Sequence, residues 1–237
     1  MERSWADGVY CGPAPLPADI LLQWNLDPVL LLGLAVMALT VGRRRPGAAA
    51  VAVLVITFVS PLCALSVALF SARVVHHVLL IAVAAPLLAL ALRPARLVAV
   101  FPAFLVATVP LWLWHLPAAY DAALSNVAIY WAMQATLFVP AVIFWRAVLH
   151  PDQPAGSMIL LIWAGFMQMA FLGALLTLAP QALYEIHAVA PMDWGFTSLQ
   201  DQQLGGLIMW IPAALPYLAF GVLAARRGWG RQPAAQP

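Results

Sequence analysis

Residues 156–178 read GSMILLIWAGFMQMAFLGALLTL, a run of 23 positions without one charged side chain. At 1.5 Å per residue, a helix of this length extends about 34 Å, enough to cross the ~30 Å hydrocarbon core of a bilayer. The run lacks the alternation of apolar and polar residues that a membrane-spanning strand would show. It therefore predicts a transmembrane helix.

The composition extends this prediction to the whole chain. Of its 237 residues, 65% are hydrophobic and 8% are charged, whereas soluble domains have roughly 25% charged residues. We expect one integral membrane domain, residues 27–227, between a polar, proline-rich outer segment, 1–26, and a cytoplasmic tail, 228–237. The outer segment has no basic region followed by an apolar one, so we expect it to stay on the mature protein.

Apolar runs of similar length recur along the sequence, and they predict an all-α bundle of seven transmembrane helices. The expected spans are Asp27 to Val41, Ala48 to Ser66, Arg73 to Leu92, Leu97 to Leu116, Val127 to Leu149, Gly156 to Leu178 and Gln202 to Ala225.

Arginine gives the expected orientation, because the chain contains no lysine. Cytoplasmic loops carry the excess of positive charge. One side of the seven-span arrangement would hold Arg43, Arg44, Arg45, Arg93, Arg96, Arg146, Arg226, Arg227 and Arg231. Arg3 and Arg73 would lie on the other side with every acidic residue except Asp152. We therefore expect the N-terminus outside and the C-terminus in the cytoplasm.

Chemistry-bearing side chains are concentrated at the expected outer ends of the spans. His76 and His77 lie one turn into the third span and point about 100° apart, so they cannot share one ligand geometry. His115 ends the fourth span at nearly the same depth, and Cys63 and Asp201 reach the same layer. Met209 lies deeper. Imidazole, thiol and thioether groups select Cu(I), whereas magnesium or calcium would need clustered carboxylates.

Other interpretations of these residues stay open. A histidine or methionine near the end of a membrane helix also fits interfacial or core packing, and the tryptophans fit an aromatic belt. Cys11 and Cys63 could instead form a disulfide on an oxidising outer face.

Several function classes are excluded or disfavoured. Without lysine there is no retinal Schiff base, and without a mid-span charge a proton pump or voltage sensor is disfavoured. No nucleophile motif or HExxH motif occurs, and scattered arginines do not form a nucleic-acid surface. We therefore do not expect an enzyme.

Four segments together resemble the CtaG family of bacterial membrane proteins that assist assembly of cytochrome c oxidase. They are SPLCALSVALFSARVVHHVLL (60–80), WHLPAAYDAAL (114–124), LGALLTLAPQALY (172–184) and DQQLGGLIMWIP (201–212). The resemblance implies a multi-pass protein of the bacterial cytoplasmic (inner) membrane that acts in copper delivery or copper-site maturation. The implied partners are subunits of a haem-copper oxidase and a periplasmic copper chaperone.

The resemblance also implies site residues. The family histidine corresponds to His77, its WH motif to Trp114 and His115, and its DQQ motif to Asp201, Gln202 and Gln203. Many members resemble SAHMxQH where this chain has SARVVHH, so Arg73 replaces a histidine and His76 a glutamine. We expect transient Cu(I) binding by His77 and His115, helped by Asp201 and by His76, Cys63 or Met209.

Three rival functions remain open. His77 and His115 would also suit the axial positions of a b-type haem in an electron-transfer protein. The chain could be a scaffold that binds oxidase subunits through its apolar surface and the outer loop 180–201. A copper transporter with a thioether path through Met167, Met169 and Met209 is the third.

Overall fold

The computed structural model describes residues 10–92 and 99–229, with side chains described as far as residue 226. All regular elements in these ranges are helical. The α-helices are α1 Pro28–Val41, α2 Arg45–Phe58, α3 Leu62–Ala68, α4 Phe70–Val78, α5 Ala85–Ala91, α6 Val100–Leu113, α7 Pro117–Ser125, α8 Val127–Val148, α9 Ala155–Leu178, α10 Ser198–Trp210 and α11 Ala214–Trp229. A π-helical turn, Leu79–Ala84, joins α4 to α5, and the 3₁₀ turns are Ile20–Leu22, Glu185–His187 and Ala190–Trp194.

The all-α membrane class expected from the sequence is confirmed in its coarse form. Four helical stretches are long and apolar enough to cross a membrane: Phe70–Ala91, Val127–Val148, Ala155–Leu178 and Ser198–Arg226. Two bent pairs raise the number to six, α2 with α3 at 44° and α6 with α7 at 79°, and α1 is a shorter apolar helix. The seven-span count and the orientation stay predictions, and Arg3, Arg93, Arg96 and Arg231 lie outside the described residues.

The π-helical turn lies in the middle of the span Phe70–Ala91, between α4 and α5. Pro86 has no N–H to donate, and the Ala85 N–H bonds to the Leu80 carbonyl five residues back. This arrangement leaves the Ile81 carbonyl without its helical partner, because the residue five positions on is the proline. The Trp145 indole of α8 donates to that carbonyl at 2.9 Å. A side chain of a neighbouring helix therefore compensates for the proline inside the membrane.

Helices α9 and α10 are in close contact through glycines. A Cβ at Gly206 would lie 2.6 Å from the Gly173 carbonyl oxygen and 2.5 Å from the Thr177 hydroxyl. The neighbouring Gly205 gives the same room to the ring of Phe70, which a Cβ would approach to 2.5 Å. Small residues at such crossings let helix backbones approach within a membrane. Gly206 thus packs α10 against α9, and Gly205 packs α10 against the start of α4.

The N-terminal segment closes the end of the bundle that the sequence predicts to face outward, which is called the outer end below. Cys11 is bonded to Cys63, so the disulfide alternative is the one the structure adopts. Beside it, Tyr10 stacks on Tyr130 with ring centroids 5.0 Å apart and donates a hydrogen bond to Asp27 at 2.7 Å. The Cys11 sulfur lies 3.7 Å from the Tyr130 hydroxyl. Both cysteines are buried, so the segment acts as a cover over α8.

A helix, α7, follows His115 in the stretch between the fourth and fifth expected spans. Pro117 begins α7, as proline often begins a helix, since its fixed φ suits the first turn and its missing N–H is not needed there. Tyr120 of α7 donates a hydrogen bond to Nε2 of His187 at 2.8 Å, and Nδ1 of that ring faces the Ala68 carbonyl at 3.4 Å. This contact joins the outer loop to α3.

Candidate functional site

Asp201 of α10 caps helix α4. It belongs to the layer of polar side chains near the outer end of the bundle, which is called the outer layer below. The chain is extended at Leu69, between α3 and α4, which leaves the first N–H groups of α4 without helical partners. The carboxylate of Asp201 accepts from the Phe70 N–H at 2.6 Å and from the Ser71 N–H at 3.1 Å, and it also accepts from the Ser71 hydroxyl. A carboxylate at a helix N-terminus is also favoured by the helix dipole. Both oxygens of Asp201 are thus engaged inside the protein.

The two glutamines that follow Asp201 contact the chain around the end of α9. Gln202 accepts from the Leu183 N–H at 2.7 Å, and its amide donates to the carbonyls of Leu176 at 3.4 Å and Gln181 at 3.3 Å. The Gln203 carbonyl accepts from the Thr177 hydroxyl at 3.4 Å. The DQQ motif therefore joins α4, α9 and the outer loop.

Trp114 has a comparable structural contact. Its indole N–H donates to the Thr136 hydroxyl of α8 at 2.8 Å. The WH motif therefore fastens the end of α6 to α8.

Arg73 is buried, with 1% of its surface exposed. Its Nε donates to the Ser66 carbonyl at 3.2 Å, and its guanidinium carbon lies 5.4 Å from the centre of the Tyr130 ring. The two terminal nitrogens have no hydrogen-bond partner among the described residues. A permanent cation therefore lies inside the outer layer, next to the Ser66 carbonyl and the aromatic ring and hydroxyl of Tyr130.

The two neighbouring histidines of α4 are both buried. The ring of His76 packs edge to face on Phe58 at 4.9 Å and lies 5.5 Å from the ring of His77. Both ring nitrogens of His76 and Nε2 of His77 lack a hydrogen-bond partner within residues 10–92 and 99–229. The planes of the two imidazole rings form a 71° angle, so the rings meet edge to face.

His115 presents a defined lone pair. Its Nδ1 lies 2.6 Å from the Leu111 carbonyl, which can only accept, so Nδ1 carries the proton and Nε2 does not. The ring lies near enough to His77 for the two to interact electrostatically. This arrangement, with one ring nitrogen fixed by a backbone carbonyl, is the usual preparation of a metal-ligating histidine.

Two of the expected ligands have other positions. Cys63 is in the disulfide with Cys11 and offers no thiolate. Met209 is buried against Gly173 of α9, about 12 Å along α10 from Asp201. Among residues 10–92 and 99–229, no three histidine, cysteine, aspartate or glutamate side chains converge as a metal site of that size requires. The structure thus brings together Arg73, His76 and His77, with His115 beside them.

Two polar residues of the layer were missed by sequence reasoning. Tyr130 lies under Arg73, and Gln134, one turn further along α8, is buried with both amide atoms unpartnered among the described residues. Gln134 could have been found, because a polar side chain within a span is costly and points to a function.

The electrostatics of the outer loop follow from burial. Burial, and secondarily the charge of Arg73, lowers the pKa of His187 to about 3. Burial and the nearby Asp121 charge raise the pKa of Tyr184 above its usual range. Both groups are therefore uncharged at neutral pH, and the ring of His187 is held as a neutral hydrogen-bonding group.

Comparison with known proteins gives one match. No curated protein and no solved structure is similar to this chain at a significant level. The family described as cytochrome c oxidase caa3 assembly factor (Caa3_CtaG) matches residues 94–231, more than half of the sequence. The match covers the WH and DQQ motifs and the outer loop between them. On this match, the chain belongs to the caa3-type cytochrome c oxidase assembly factors.

Proposed function

We propose that this protein serves oxidase assembly by holding copper, as Cu(I), at the outer face of the bacterial cytoplasmic membrane. The family assigns a role in cytochrome c oxidase assembly, with the oxidase as partner. The copper, its delivery by a periplasmic chaperone and the absence of enzymatic activity are our proposal. In it, copper is cargo, bound for transfer to the oxidase and not kept as a cofactor.

The observation that carries the proposal is a set of imidazole nitrogens without partners among the described residues. Nε2 of His77 is buried and unpaired there, and Nε2 of His115 keeps its lone pair because Nδ1 donates to Leu111. Buried polar atoms usually have a partner. Neutral imidazoles suit copper, and the surrounding apolar side chains disfavour the hard cations that prefer carboxylates and water.

The charge of Arg73 favours brief binding of Cu(I). Arg73 is a fixed positive charge beside the proposed cation site and interacts with both His76 and His77. One unit charge several ångströms away costs a bound cation on the order of 1–3 kcal/mol at an effective dielectric constant of about 20. Such repulsion weakens affinity by about tenfold or more, which suits a protein that must release its copper.

The test is the Cu(I) stoichiometry of the purified protein, titrated without oxygen against a chromophoric chelator. Ascorbate is the reductant, so that the Cys11–Cys63 disulfide stays intact. We expect one copper per chain in the wild type and a loss of at least tenfold in affinity in His77→Ala and in His115→Ala. His150→Ala, which changes a histidine at the other end of the bundle, is the matched control and should bind normally.

No copper bound by the wild type, or an unchanged Cu(I) affinity in both variants, would rule out the copper site. A Soret absorption band in the protein as purified, lost in the same two variants, would replace copper with haem. If oxidase assembly in cells survives the His77→Ala, His115→Ala double replacement, the protein acts as a scaffold alone.

A further inference from the structure

Seven buried polar atoms without a hydrogen-bond partner occur in four side chains of the described structure. They are the two terminal nitrogens of Arg73, both ring nitrogens of His76, Nε2 of His77 and both amide atoms of Gln134. Folded proteins leave few such atoms unpaired, and each costs about 1–3 kcal/mol, with a higher cost for charged groups. Their concentration in one place needs an explanation.

These four side chains belong to one cluster. Arg73 lies over the ring of Tyr130, and the Tyr130 hydroxyl lies near both the Arg73 guanidinium and the Gln134 amide. His76 and His77 are 5.5 Å apart, and both interact electrostatically with Arg73. Arg73 is therefore central, with histidines on its own helix and an amide supplied by α8.

The charge in this cluster is uncompensated within the described residues. Arginine stays protonated even when buried, and a buried ion is strongly unfavourable unless a counter-charge accompanies it. Asp201, the acid at the start of α4, has both oxygens occupied by Phe70 and Ser71. The free hydrogen-bonding capacity around Arg73 is rich in donors, since its terminal nitrogens can only donate and Gln134 adds an amide NH₂.

The cluster is also shielded from solvent. Its four members are at most 8% exposed, and Cys11, with Tyr10 beside it, closes the outer side against Tyr130. A monatomic anion or a single carboxylate is the smallest partner that would supply the missing negative charge to so enclosed a group.

We propose that Arg73, with Gln134 and the Tyr130 hydroxyl, binds one small monovalent anion such as chloride inside the outer layer. The Arg73 guanidinium would donate charge-assisted hydrogen bonds to the anion, and the Gln134 amide would donate a neutral one. The anion neutralises the buried charge and completes the packing of α4 against α8. The anion uses none of the proposed copper ligands, but by neutralising Arg73, which interacts electrostatically with His76 and His77, it would also reduce the repulsion of a bound Cu(I).

The first experiment is thermal unfolding of the whole purified protein in detergent, with sodium gluconate replaced stepwise by sodium chloride. We expect the unfolding temperature of the wild type to rise and saturate, by roughly 5 °C or more when chloride reaches about 100 times its Kd. Arg73→Gln should abolish the rise, and Arg43→Gln, which removes an exposed arginine, should keep it. Gln134→Leu, which leaves every charge in place, should weaken the response.

A chloride effect that is absent from the wild type, or equal in wild type and Arg73→Gln, would overturn the proposal, and internal water would then satisfy these groups. If Arg73→Gln does not fold, the line width of the ³⁵Cl NMR signal decides the matter. The wild type should broaden it, and Gln134→Leu should broaden it less. A parallel titration with formate separates a site for monatomic anions from one that also takes a carboxylate; either result supports the proposal.

Discussion

Asp201 on α10 caps the helix that begins at Phe70, 131 residues earlier in the sequence. The DQQ motif is thereby bonded to the first turn of the helix that carries His76 and His77. Both oxygens of this carboxylate accept hydrogen bonds from that first turn.

Removing this cap should lower stability without removing copper. In Asp201→Ala the first N–H groups of α4 lose their partner, and we expect a loss of roughly 2 kcal/mol or more in the free energy of unfolding. Asp201→Asn keeps one acceptor oxygen and should lose less. Thermal unfolding measures both, and Asp193→Asn on the exposed loop is the control. If Asp201→Asn keeps its stability but loses Cu(I), the carboxylate is a ligand after all.

The bond from Trp145 to the Ile81 carbonyl should be tested with phenylalanine. Trp145→Phe leaves that carbonyl unpaired in the membrane interior, so we expect a loss of about 1–3 kcal/mol. Trp163→Phe, on the exposed face of α9, should change stability little. In a Pro86→Ala background the new N–H can bond to Ile81, so the cost of Trp145→Phe should fall. A cost that is the same in both backgrounds would contradict this account of the π-helical turn.

Close packing between α9 and α10 makes Gly206 sensitive to a single methyl group. A Cβ there would lie 2.6 Å from the Gly173 carbonyl oxygen, and backbone atoms cannot rotate away as a side chain can. We expect Gly206→Ala to lower the free energy of unfolding by about 1–3 kcal/mol. Gly33→Ala in α1, where nothing lies within 4 Å, should be neutral or slightly stabilising. Equal unfolding temperatures for the two variants would argue against this contact.

Burial of His187 should make stability depend on pH. Its folded pKa of about 3 lies below the unfolded value of about 6.5, so between these values the unfolded chain binds more protons. Stability from this group is therefore complete above about pH 6.5 and falls as pH drops toward 3, by up to ~1.4 kcal/mol per pH unit. Denaturant unfolding from pH 7 to 4 should show a shallower fall for His187→Gln than for wild type. Parallel curves would mean that His187 does not titrate as its burial requires.

The sequence predicts the main helices better than the contacts between them. Apolar length is enough to place the main helices, because a bilayer fixes how long a span must be. The break at Leu69 falls between the second and third expected spans, although neither proline nor glycine marks it. Asp201, far along the chain, caps the helix that begins after it, and a sequence pattern cannot show such a partner.

The same limit applies to the site. The shared depth of His77 and His115 followed from their places near span ends, and the structure brings them into the same layer. Gln134 and Tyr130 join that layer only because the face of α8 that carries them turns toward Arg73. The π-helical turn was equally hidden, since Pro86 indicates a disturbance but not the indole that compensates for it.

The bond between Cys11 and Cys63 has a consequence for how the protein is made. The two cysteines lie before α1 and after α2, so these two helices must fold back on each other before the sulfurs can meet. Disulfides persist where the surroundings are oxidising, so the bond lasts only in a chain that presents both cysteines to such surroundings. The cover over Arg73 is therefore locked in place only after α1 and α2 have paired.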